Sequence, residues 1–294
     1  MENKVPEKFK GRLYVTKDMI VNDLKKLGLN KGDIVVFHSS LKSIGYVEGG
    51  ANTVIEAFLE AVGNEGTVMV PTFSFNFADV EGAKPFHPAK SESRVGLITD
   101  TFWRRADAIR SKHPTHSVAA IGKHAEYLTS NHETTSAFGK KSPWGKLIKL
   151  NGYVMLLGVG FNVCSFFHAV EDILDLPYYN IEREALIEDD YGVVRKVKLP
   201  RSPEGHRDFY REPRKDSKVK VRLMKTNIIK KGSVGEAQVF IVRSRDLIET
   251  LHKIIEEEPD IFLCDNPECK FCSASKKKLE GWKPSPINLI LSSL

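Results

Sequence analysis

A histidine and a glutamate one helical turn apart are the residues of this sequence whose types and spacing best suit catalysis. His168 and Glu171 follow the apolar run 153–157 and a glycine-containing turn, and a helix is expected to begin near Cys164 or Ser165. On such a helix their spacing of three places both side chains on one face. An imidazole oriented by a carboxylate at a strand-to-helix junction is a general-base arrangement. From spacing alone, a surface ion pair on an ordinary helix is the commoner explanation.

Three loops carry further polar or aromatic groups. The loop 39–50 leaves a predicted strand, and its hydroxyls and glycines can donate to a phosphate or a pantetheine chain, although a βα turn with capping serines explains it equally well. His113 and His116 precede another predicted strand and could share a metal, but no helical i, i+4 pair supports this and His–Pro turns are commonly structural. Residues 142–145 are predicted to form a turn with an aromatic lid.

Three of the four cysteines lie close together near the end of the sequence. Cys264, Cys269 and Cys272 have the spacing C-x4-C-x2-C, which suits thiolate coordination of one structural zinc ion. Three cysteines supply three ligands, and His252, Asp265, a water or a neighbouring chain would supply the fourth. Three reduced thiols are an equally good explanation, whereas an iron–sulfur cluster is disfavoured because it too usually needs four ligands.

Strand-like and helix-like segments alternate along the chain. The strands 33–37 and 67–70 enclose a predicted helix over 52–63, which is a βαβ unit with parallel pairing. Residues 76–93 lack apolar periodicity and are expected to form an irregular excursion over a site. Without repeats or a low-complexity linker, the pattern predicts one α/β domain over 1–258 and a short cysteine-containing appendage over 259–294 packed on it. Further strands are predicted at 117–121, 153–157, 193–199 and 238–242, and further helices at 16–27, 94–105, 124–130 and 245–257.

Composition restricts the class of protein. The 294 residues are 41% hydrophobic and 28% charged, which is ordinary for a globular protein. No apolar run is long enough to span a membrane and residues 1–8 lack the apolar core of a secretory signal, so a cytoplasmic protein is expected. The net charge of +6 lies largely in basic runs, including 207–222. Such runs are usually solvated, and a phosphate-bearing ligand is the second explanation. Nucleic-acid-binding signatures and a P-loop are absent from the sequence.

Several blocks of sequence occur in a diagnostic order. They comprise 32–50, 66–73, 113–122, 142–160 followed by His168-x-x-Glu171, and 232–240. In order and spacing these blocks resemble the aminoglycoside 3-N-acetyltransferase family, over about residues 16–255. The resemblance implies a three-layer α/β/α fold with a mainly parallel central sheet. It also implies transfer of an acetyl group from acetyl-CoA to a primary amine of an aminoglycoside or another amino sugar, an activity that confers antibiotic resistance.

The resemblance also implies roles for individual residues. His168 is the general base, Glu171 orients it, and Ser165 stands where the family usually has threonine and donates a hydroxyl near the reacting carbonyl. The residues expected to contact CoA are Ser39, Ser40, Leu41, Lys42, Ser43, Gly45, Thr72, Phe73, Ser74, His116 and Ser117. The acidic residues expected to bind the amine are Asp79, Glu81 and Asp172. Acetyl-CoA and a small amine are the expected partners, and a homodimer is left open.

Two features depart from the family pattern. A net basic chain is a poor match for polycationic aminoglycosides, so a nucleotide-linked amino sugar is the rival acceptor. The cysteine-containing tail has no counterpart in the pattern. A CoA-binding module without acetyltransferase activity is the alternative function.

Overall fold

The computed structural model describes residues 7, 10–133, 135–212 and 215–294. The expectation about a secretory signal therefore falls mostly outside the described residues, as do two positions of the basic segment 207–222. The strands are β1 (Tyr14–Val15), β2 (Ile34–Ser39), β3 (Tyr46–Val47), β4 (Thr67–Pro71), β5 (Ile109–Arg110), β6 (Val118–Gly122), β7 (Tyr153–Leu157), β8 (Arg183–Glu188), β9 (Val194–Leu199), β10 (Lys230–Val234) and β11 (Ala237–Arg243). The α-helices are α1 (Lys17–Lys26), α2 (Leu41–Ile44), α3 (Ala51–Val62), α4 (Leu97–Trp103), α5 (Ala125–Thr129), α6 (Pro143–Lys149), α7 (Phe166–Ile173), α8 (Lys218–Leu223), α9 (Ser244–Glu257), α10 (Lys270–Lys278) and α11 (Ile287–Ser292).

The central sheet is mixed. In the described residues it has seven strands in the order β10-β11-β7-β2-β4-β6-β5. The inner strands β7, β2 and β4 are parallel, as the βαβ pattern predicts, whereas the pairs on both sides of them are antiparallel. The expected mainly parallel sheet is thus correct only for its centre. Alternation of strands and helices dictates parallel pairing only where one helix links neighbouring strands, and the turn between β10 and β11 forces a hairpin instead.

Helices cover both faces of this sheet, which gives the predicted three-layer α/β/α arrangement. Alternate residues of a strand point to opposite faces, so Val36 of β2 packs in one hydrophobic cluster while Val35 packs in the other. Residues of α1, α3 and α4 belong to the cluster with Val35, and residues of α5, α6, α7 and α9 belong to the cluster with Val36. The fold class is therefore confirmed.

The start of α1 shows how local sequence specifies an element. Thr16 is its N-cap, and the Thr16 side chain accepts a hydrogen bond from the backbone N–H of Met19. Ile20 and Leu24 form the buried stripe of the helix, as the spacing of four predicts. The predicted helices 52–63 and 245–257 correspond within one residue to α3 and α9.

One predicted local structure is wrong. Residues 142–145 do not form a turn with an aromatic lid but begin helix α6. The Ser142 hydroxyl accepts hydrogen bonds from the N–H groups of Trp144 and Gly145, and Pro143 occupies the first helical position. Trp144 is fully buried in the core rather than covering a site.

The irregular segment 76–93 packs against a separate hairpin formed by β8 and β9. Phe77 pairs with Ala185 and Phe86 pairs with Ile187 through isolated β-bridges. Phe86 is 1% exposed, so the excursion has its own buried anchor.

The cysteine-containing appendage packs on the main body. Phe262, Cys272 and Ile290 are buried in the same hydrophobic cluster as helix α7. Among the described residues, no helix combines the length and the apolar character that a membrane crossing requires.

Candidate active site

The carboxyl ends of the parallel strands meet at one edge of the central sheet, beside a cavity of about 400 Å³. Ser39 ends β2, Pro71 ends β4 and Val159 follows β7, and all three residues line this cavity. Helix α7 begins at the same edge, and His168 in its first turn also lines the cavity. The sheet therefore places the predicted catalytic histidine where its topology favours a ligand. The aromatic side chains of the wall are those of Phe73, Phe75, Phe77, Phe138, Phe209 and Tyr210.

His168 and Glu171 contact each other on one face of α7, as their spacing predicts. The His168 Nδ1 atom lies 2.7 Å from Glu171 Oε2. The Glu171 side chain is 0% exposed and that of His168 is 11% exposed. The pair is thus buried, which excludes the surface ion pair that the spacing alone would have favoured.

Two residues that the sequence did not reveal, Tyr178 and Arg207, bond to the other carboxylate oxygen of Glu171. Tyr178 donates its hydroxyl hydrogen to Glu171 Oε1 at 3.0 Å, and Arg207 donates to the same oxygen through Nε. Burial acts to raise the pKa of Glu171, but the charge of Arg207 and the hydrogen bonds from His168 and Arg207 prevail and lower that pKa. Glu171 is therefore an ionised acceptor, and His168 carries its proton on Nδ1.

Arg207 lies in a basic segment that was expected to be solvated, yet it is 1% exposed. Its guanidinium lies 5.0 Å from the ring centroid of Tyr178 and 4.9 Å from that of Phe271. The expectation is wrong here because a buried carboxylate requires a buried cation. A charge count along the sequence cannot distinguish this arginine from its exposed neighbours.

The second nitrogen of His168 points toward Tyr210. The Tyr210 hydroxyl lies 2.9 Å from His168 Nε2. Burial, together with the charge of Glu171, raises the pKa of Tyr210 to about 12, so the phenol keeps its hydrogen and donates it to Nε2. Since Tyr210 is 43% exposed, a ligand entering the cavity can take its place at Nε2.

Ser165 and Cys164 line the cavity at the start of α7. Ser165 occupies the N-cap position without a side-chain capping bond, so its hydroxyl is available to the cavity. Burial raises the pKa of Cys164 to about 12. Cys164 is therefore a protonated thiol at neutral pH and a poor nucleophile.

Two buried polar atoms at the end of β2 have no hydrogen-bond partner among the described residues. They are His38 Nε2 and Ser39 Oγ, and both residues line the cavity. Burial lowers the pKa of His38 to about 4, so its ring is neutral at physiological pH. A buried polar atom without a partner is costly, so a polar group of a ligand bound at this end of β2 would offset that cost.

A groove of about 650 Å³ adjoins the cavity at Ser39. The predicted CoA contacts that line this groove are Ser39, Ser40, Leu41, Lys42 and Gly45. Its opposite wall is the start of α4 at Gly96 and Leu97, which was not predicted. The groove and the cavity at His168 share Ser39 as a lining residue, so the loop that follows β2 borders both.

Ser43 does not line this groove. Its hydroxyl donates to the Gly158 carbonyl at 3.0 Å and to Ser40 Oγ at 2.9 Å. Gly158 has φ +65°, and a Cβ there would lie 2.5 Å from Ser43 Cβ. The close approach of Ser43 to Gly158 fixes the loop that carries the groove, so Ser43 supports the groove rather than forming it.

Comparison with known proteins identifies the family of this chain. A model of the aminoglycoside 3-N-acetyltransferase family matches residues 36–256. This chain belongs to that family. The aminoglycoside N(3)-acetyltransferase VII of Streptomyces paromomycinus is 31% identical over 260 residues, which cover 80% of this chain and 89% of the relative. The aminoglycoside N(3)-acetyltransferase IV of a Salmonella species is 32% identical over 249 residues, which cover 84% of this chain and 90% of the relative.

Solved structures of the family have the same fold. The apoenzyme of the aminoglycoside acetyltransferase AAC(3)-IVa matches with a TM-score of 0.76 and 30% identity, covering 91% of this chain and 99% of that one. A mutant of that enzyme in complex with a gentamicin matches with a TM-score of 0.76, 30% identity and coverage of 90% and 98%. The resemblance inferred from the ordered blocks is confirmed, and the chain is an acyltransferase of the aminoglycoside 3-N-acetyltransferase type.

Within this family fold, the predicted CoA contacts around 72–74 and 116–117 divide into two groups. Phe73 and His116 line the main cavity, whereas Thr72, Ser74 and Ser117 line neither the cavity nor the groove. Thr72 Oγ1 lies 2.9 Å from Ser117 Oγ, and Ser74 donates to the Pro114 carbonyl at 2.8 Å. These three hydroxyls hold the ends of β4 and β6 together, so the structure does not support them as CoA contacts.

The histidines of the 113–117 block belong to a buried row of rings. The ring centroids of His113 and His132 are 4.7 Å apart, and those of His113 and His116 are 5.9 Å apart. His132 Nδ1 is 2.8 Å from Ser111 Oγ, and His116 Nδ1 is 2.8 Å from Thr115 Oγ1. Burial lowers the pKa of all three, that of His132 to about 3. They are neutral rings of the scaffold.

The three acidic residues predicted to bind the amine are not brought together. Asp79 is exposed on the excursion and pairs with Arg183 at 2.6 Å, and Glu81 is exposed nearby. Asp172 lines a different cavity, where Arg201 Nε donates to it at 2.7 Å. None of these three described carboxylates lines the cavity at His168. Consecutive acids on a helix point about 100° apart, so Glu171 and Asp172 cannot serve one site.

The three clustered cysteines acquire a fourth neighbour that was not anticipated. The ligand atoms of His206, Cys264, Cys269 and Cys272 all lie within 4.8 Å of one another. The two side chains considered as fourth ligand have other partners. His252 Nε2 is 2.8 Å from the Ser285 carbonyl, and Asp265 forms an ion pair with Lys276 at 2.7 Å.

Proposed function

We propose that this protein transfers the acetyl group of acetyl-CoA to a primary amine of an amino sugar, with aminoglycosides as the first class to test. His168 is the general base, and Glu171 orients it. The observation that carries the proposal is the buried pair of Glu171 and His168, whose Nε2 faces the cavity at the edge of the sheet. Family membership supports the reaction class, and the relative in complex with a gentamicin supports the acceptor class.

The chemistry follows from the charges around His168. A primary amine is mostly protonated at neutral pH and must lose a proton before it can attack a thioester. His168 Nε2 accepts that proton while Nδ1–H stays bonded to ionised Glu171, which stabilises the imidazolium. The amine nitrogen then bonds to the carbonyl carbon, the carbon–sulfur bond breaks, and the leaving thiolate takes the proton from His168. The extra proton that remains on the acylated nitrogen passes to the freed His168 Nε2 and from there to solvent, which leaves a neutral amide.

The negative oxygen that develops on the thioester carbonyl needs hydrogen-bond donors. Ser165 and Ser39 both line the cavity, and Ser39 also lines the groove. We assign this role to their hydroxyls. The groove residues Ser40, Lys42 and Gly45 hold the pantetheine and phosphate portion of CoA. The amide groups and hydroxyls of this loop, with one lysine, suit such a ligand.

The acceptor is defined by a cavity with aromatic walls and, among its described lining residues, no carboxylate. Aromatic faces suit the apolar face of a sugar ring, whereas several ammonium groups require carboxylates. Asp79 and Glu81 are exposed but do not line the cavity, and Asp79 is paired with Arg183. A nucleotide-linked amino sugar carries fewer positive charges and is the rival acceptor.

The test is an acetylation assay with acetyl-CoA and a panel of amines, measured by release of free thiol. His168→Ala should lower kcat by roughly 100-fold or more and leave CoA binding intact, because only the proton acceptor is lost. His124→Ala is the matched control, since His124 lies at the opposite edge of the sheet beside Thr67. Undiminished turnover in His168→Ala would overturn the assignment of the base.

The same panel separates the acceptors and the alternative function. Comparing kcat/KM for gentamicin-type amines with that for UDP- or dTDP-linked amino sugars identifies the preferred class. A CoA-binding module without activity would be raised in Tm by CoA yet would acetylate no amine in the panel. The intact pair of His168 and Glu171 disfavours that alternative.

A further inference from the structure

Four potential metal ligands from two separate parts of the chain converge beside the active site. Cys264 follows helix α9, Cys269 is the N-cap of α10, and Cys272 lies in the first turn of α10. His206 belongs to the segment 203–212, more than 50 residues earlier in the sequence. Their ligand atoms all lie within 4.8 Å of one another, which chain connectivity alone does not require.

The donor set and its spacing suit zinc. In a tetrahedral site with Zn–S bonds of about 2.3 Å, the ligand atoms are separated by about 3.8 Å. His206 Nδ1 lies 3.5 Å from Cys272 Sγ. The groove beside the cluster, which is lined by His206, Cys264 and Cys269, offers an ion a path from solvent.

A backbone N–H group beside the cluster is placed to support a thiolate. The N–H of Cys264 donates to Cys272 Sγ at 3.4 Å, and this sulfur is also the one that lies 3.5 Å from His206 Nδ1. Such donors orient sulfur ligands and stabilise their negative charge. We propose that Cys264, Cys269, Cys272 and His206 bind one zinc ion, with His206 as the fourth ligand that the cysteine spacing leaves undefined.

The segment that would supply His206 also supplies groups to the catalytic pair. Arg207 is the next residue, and it forms the buried ion pair with Glu171. Its guanidinium lies 4.9 Å from the ring of Phe271, which stands between Cys269 and Cys272. Tyr210 of the same segment bonds to His168 Nε2 at 2.9 Å.

Contacts of Gly205 and Asp208, which flank His206 and Arg207 in the chain, reinforce this link. Gly205 has φ +82°, and a Cβ at this position would lie 2.2 Å from the Phe271 ring. Asp208 N–H donates to the Phe262 carbonyl at 2.7 Å. The zinc ion therefore positions Arg207 behind Glu171 without touching substrate. This positioning role rests on the proposed function, whereas the metal site itself does not rest on it.

The metal site is tested by elemental analysis of the full chain, purified without a histidine tag and under reducing conditions. We expect about one equivalent of zinc in the unmodified protein and less than about a tenth in Cys269→Ser. Cys164→Ala is the matched control, because this buried thiol lies outside the cluster, and it should keep its zinc. Zinc below about a tenth of an equivalent in the unmodified protein, together with failure to bind added zinc, would overturn the site.

The fourth ligand is tested separately. His206→Ala should bind zinc roughly 100-fold more weakly in competition with a chromophoric chelator, and His206→Cys should restore tight binding through a fourth thiolate. Unchanged zinc affinity in His206→Ala would overturn the assignment of His206. Cobalt substitution of the unmodified protein should give the absorption of a tetrahedral thiolate site, which does not depend on catalysis.

The link to catalysis is tested by kcat and KM after zinc removal. Chelation should lower kcat roughly 10-fold with little change in the KM for acetyl-CoA, and added zinc should restore kcat. His206→Ala should reproduce this pattern and His206→Cys should reverse it. Unchanged kcat in zinc-free protein would overturn the link, whereas a zinc-loaded protein that acetylates no amine would overturn the proposed function alone.

Discussion

His168 and His116 line the same cavity, yet their surroundings give the two imidazoles different chemistry. His116 is enclosed by the rings of Phe73 and Phe138, with centroids at 4.9 and 5.1 Å, and bonds only to a hydroxyl at Nδ1 among the described contacts. Burial holds the pKa of His116 well below its ordinary value of 6.5. A ring that cannot take up a proton near neutral pH cannot act as a base.

His168 is almost as buried, but a carboxylate and an arginine stand behind it. The order of contacts runs from Arg207 through Glu171 to Nδ1 of His168. The ionised carboxylate of Glu171 lies against the Nδ1–H group of His168, whereas the described contact of the His116 ring is a neutral hydroxyl. Several histidines therefore lie beside the cavity. The residue that bonds to Nδ1 distinguishes the general base His168 from a structural histidine such as His116.

The largest loss of kcat should come from removing the carboxylate of Glu171. Glu171→Gln leaves His168 with a neutral partner, as His116 has, and should lower kcat by roughly 100-fold or more because the imidazolium loses its counter-charge. Asp172→Asn is the matched control and should change kcat less than about threefold, since Asp172 faces the other cavity. Equal losses in steady-state assays of the two variants would show that Glu171 has no special role.

Arg207 and Arg201 allow a similar comparison of the free energy of unfolding. Arg207→Met leaves the buried carboxylate of Glu171 without its arginine and should lower the free energy of unfolding by about 3 kcal/mol. Arg201→Met should cost about 1 kcal/mol, because Arg201 is partly exposed and burial already raises the pKa of its partner Asp172. Urea denaturation of both variants at neutral pH measures the difference.

The pH dependence of Arg207→Met has a defined sign. In the unmodified protein the pKa of Glu171 is below its ordinary value of 4.5, so its contribution to stability is present above that pH and is lost as the pH falls. In Arg207→Met, burial without the arginine raises the pKa of Glu171, and protonation then relieves the buried charge. The stability gap between the two proteins should therefore narrow as the pH falls, and a gap that widens would contradict this account.

The smallest effect is expected at Tyr210. Tyr210→Phe removes the hydroxyl that donates to His168 Nε2, but the incoming amine must replace this hydroxyl before it can give up its proton. We expect kcat to change by less than about fivefold. A loss comparable to that of Glu171→Gln, measured in the same assay, would instead show that the phenol passes protons between the amine and His168.

The sequence predicted those parts of the site whose residues are close in the chain. His168 and Glu171 are one turn apart, so the helix alone brings them together, and the loop 39–45 follows directly from a strand end. The family blocks supported both. The predicted helices and the parallel centre of the sheet have the same local origin, because apolar periodicity and one crossover specify them.

The remaining parts depend on tertiary contacts. Arg207 and Tyr210 reach the catalytic pair from a segment about 40 residues later, and nothing in their spacing marks them among the neighbouring basic residues. Thr72 and Ser117 have the composition of a ligand loop, yet they bond to each other. Residues 142–145 were predicted to form a turn with an aromatic lid, whereas a proline after a capping serine also begins a helix, as it does here.

Ser39 borders both the groove assigned to CoA and the cavity assigned to the amine. Two compartments that share one lining residue can be filled at the same time, and Cys164, the thiol that lines the cavity, is held protonated. We therefore expect the acetyl group to cross in a single displacement within a ternary complex. For the activity proposed here, reciprocal-rate plots at several fixed concentrations of one substrate should therefore intersect, unlike the parallel lines of an enzyme that carries the acetyl group between two half-reactions.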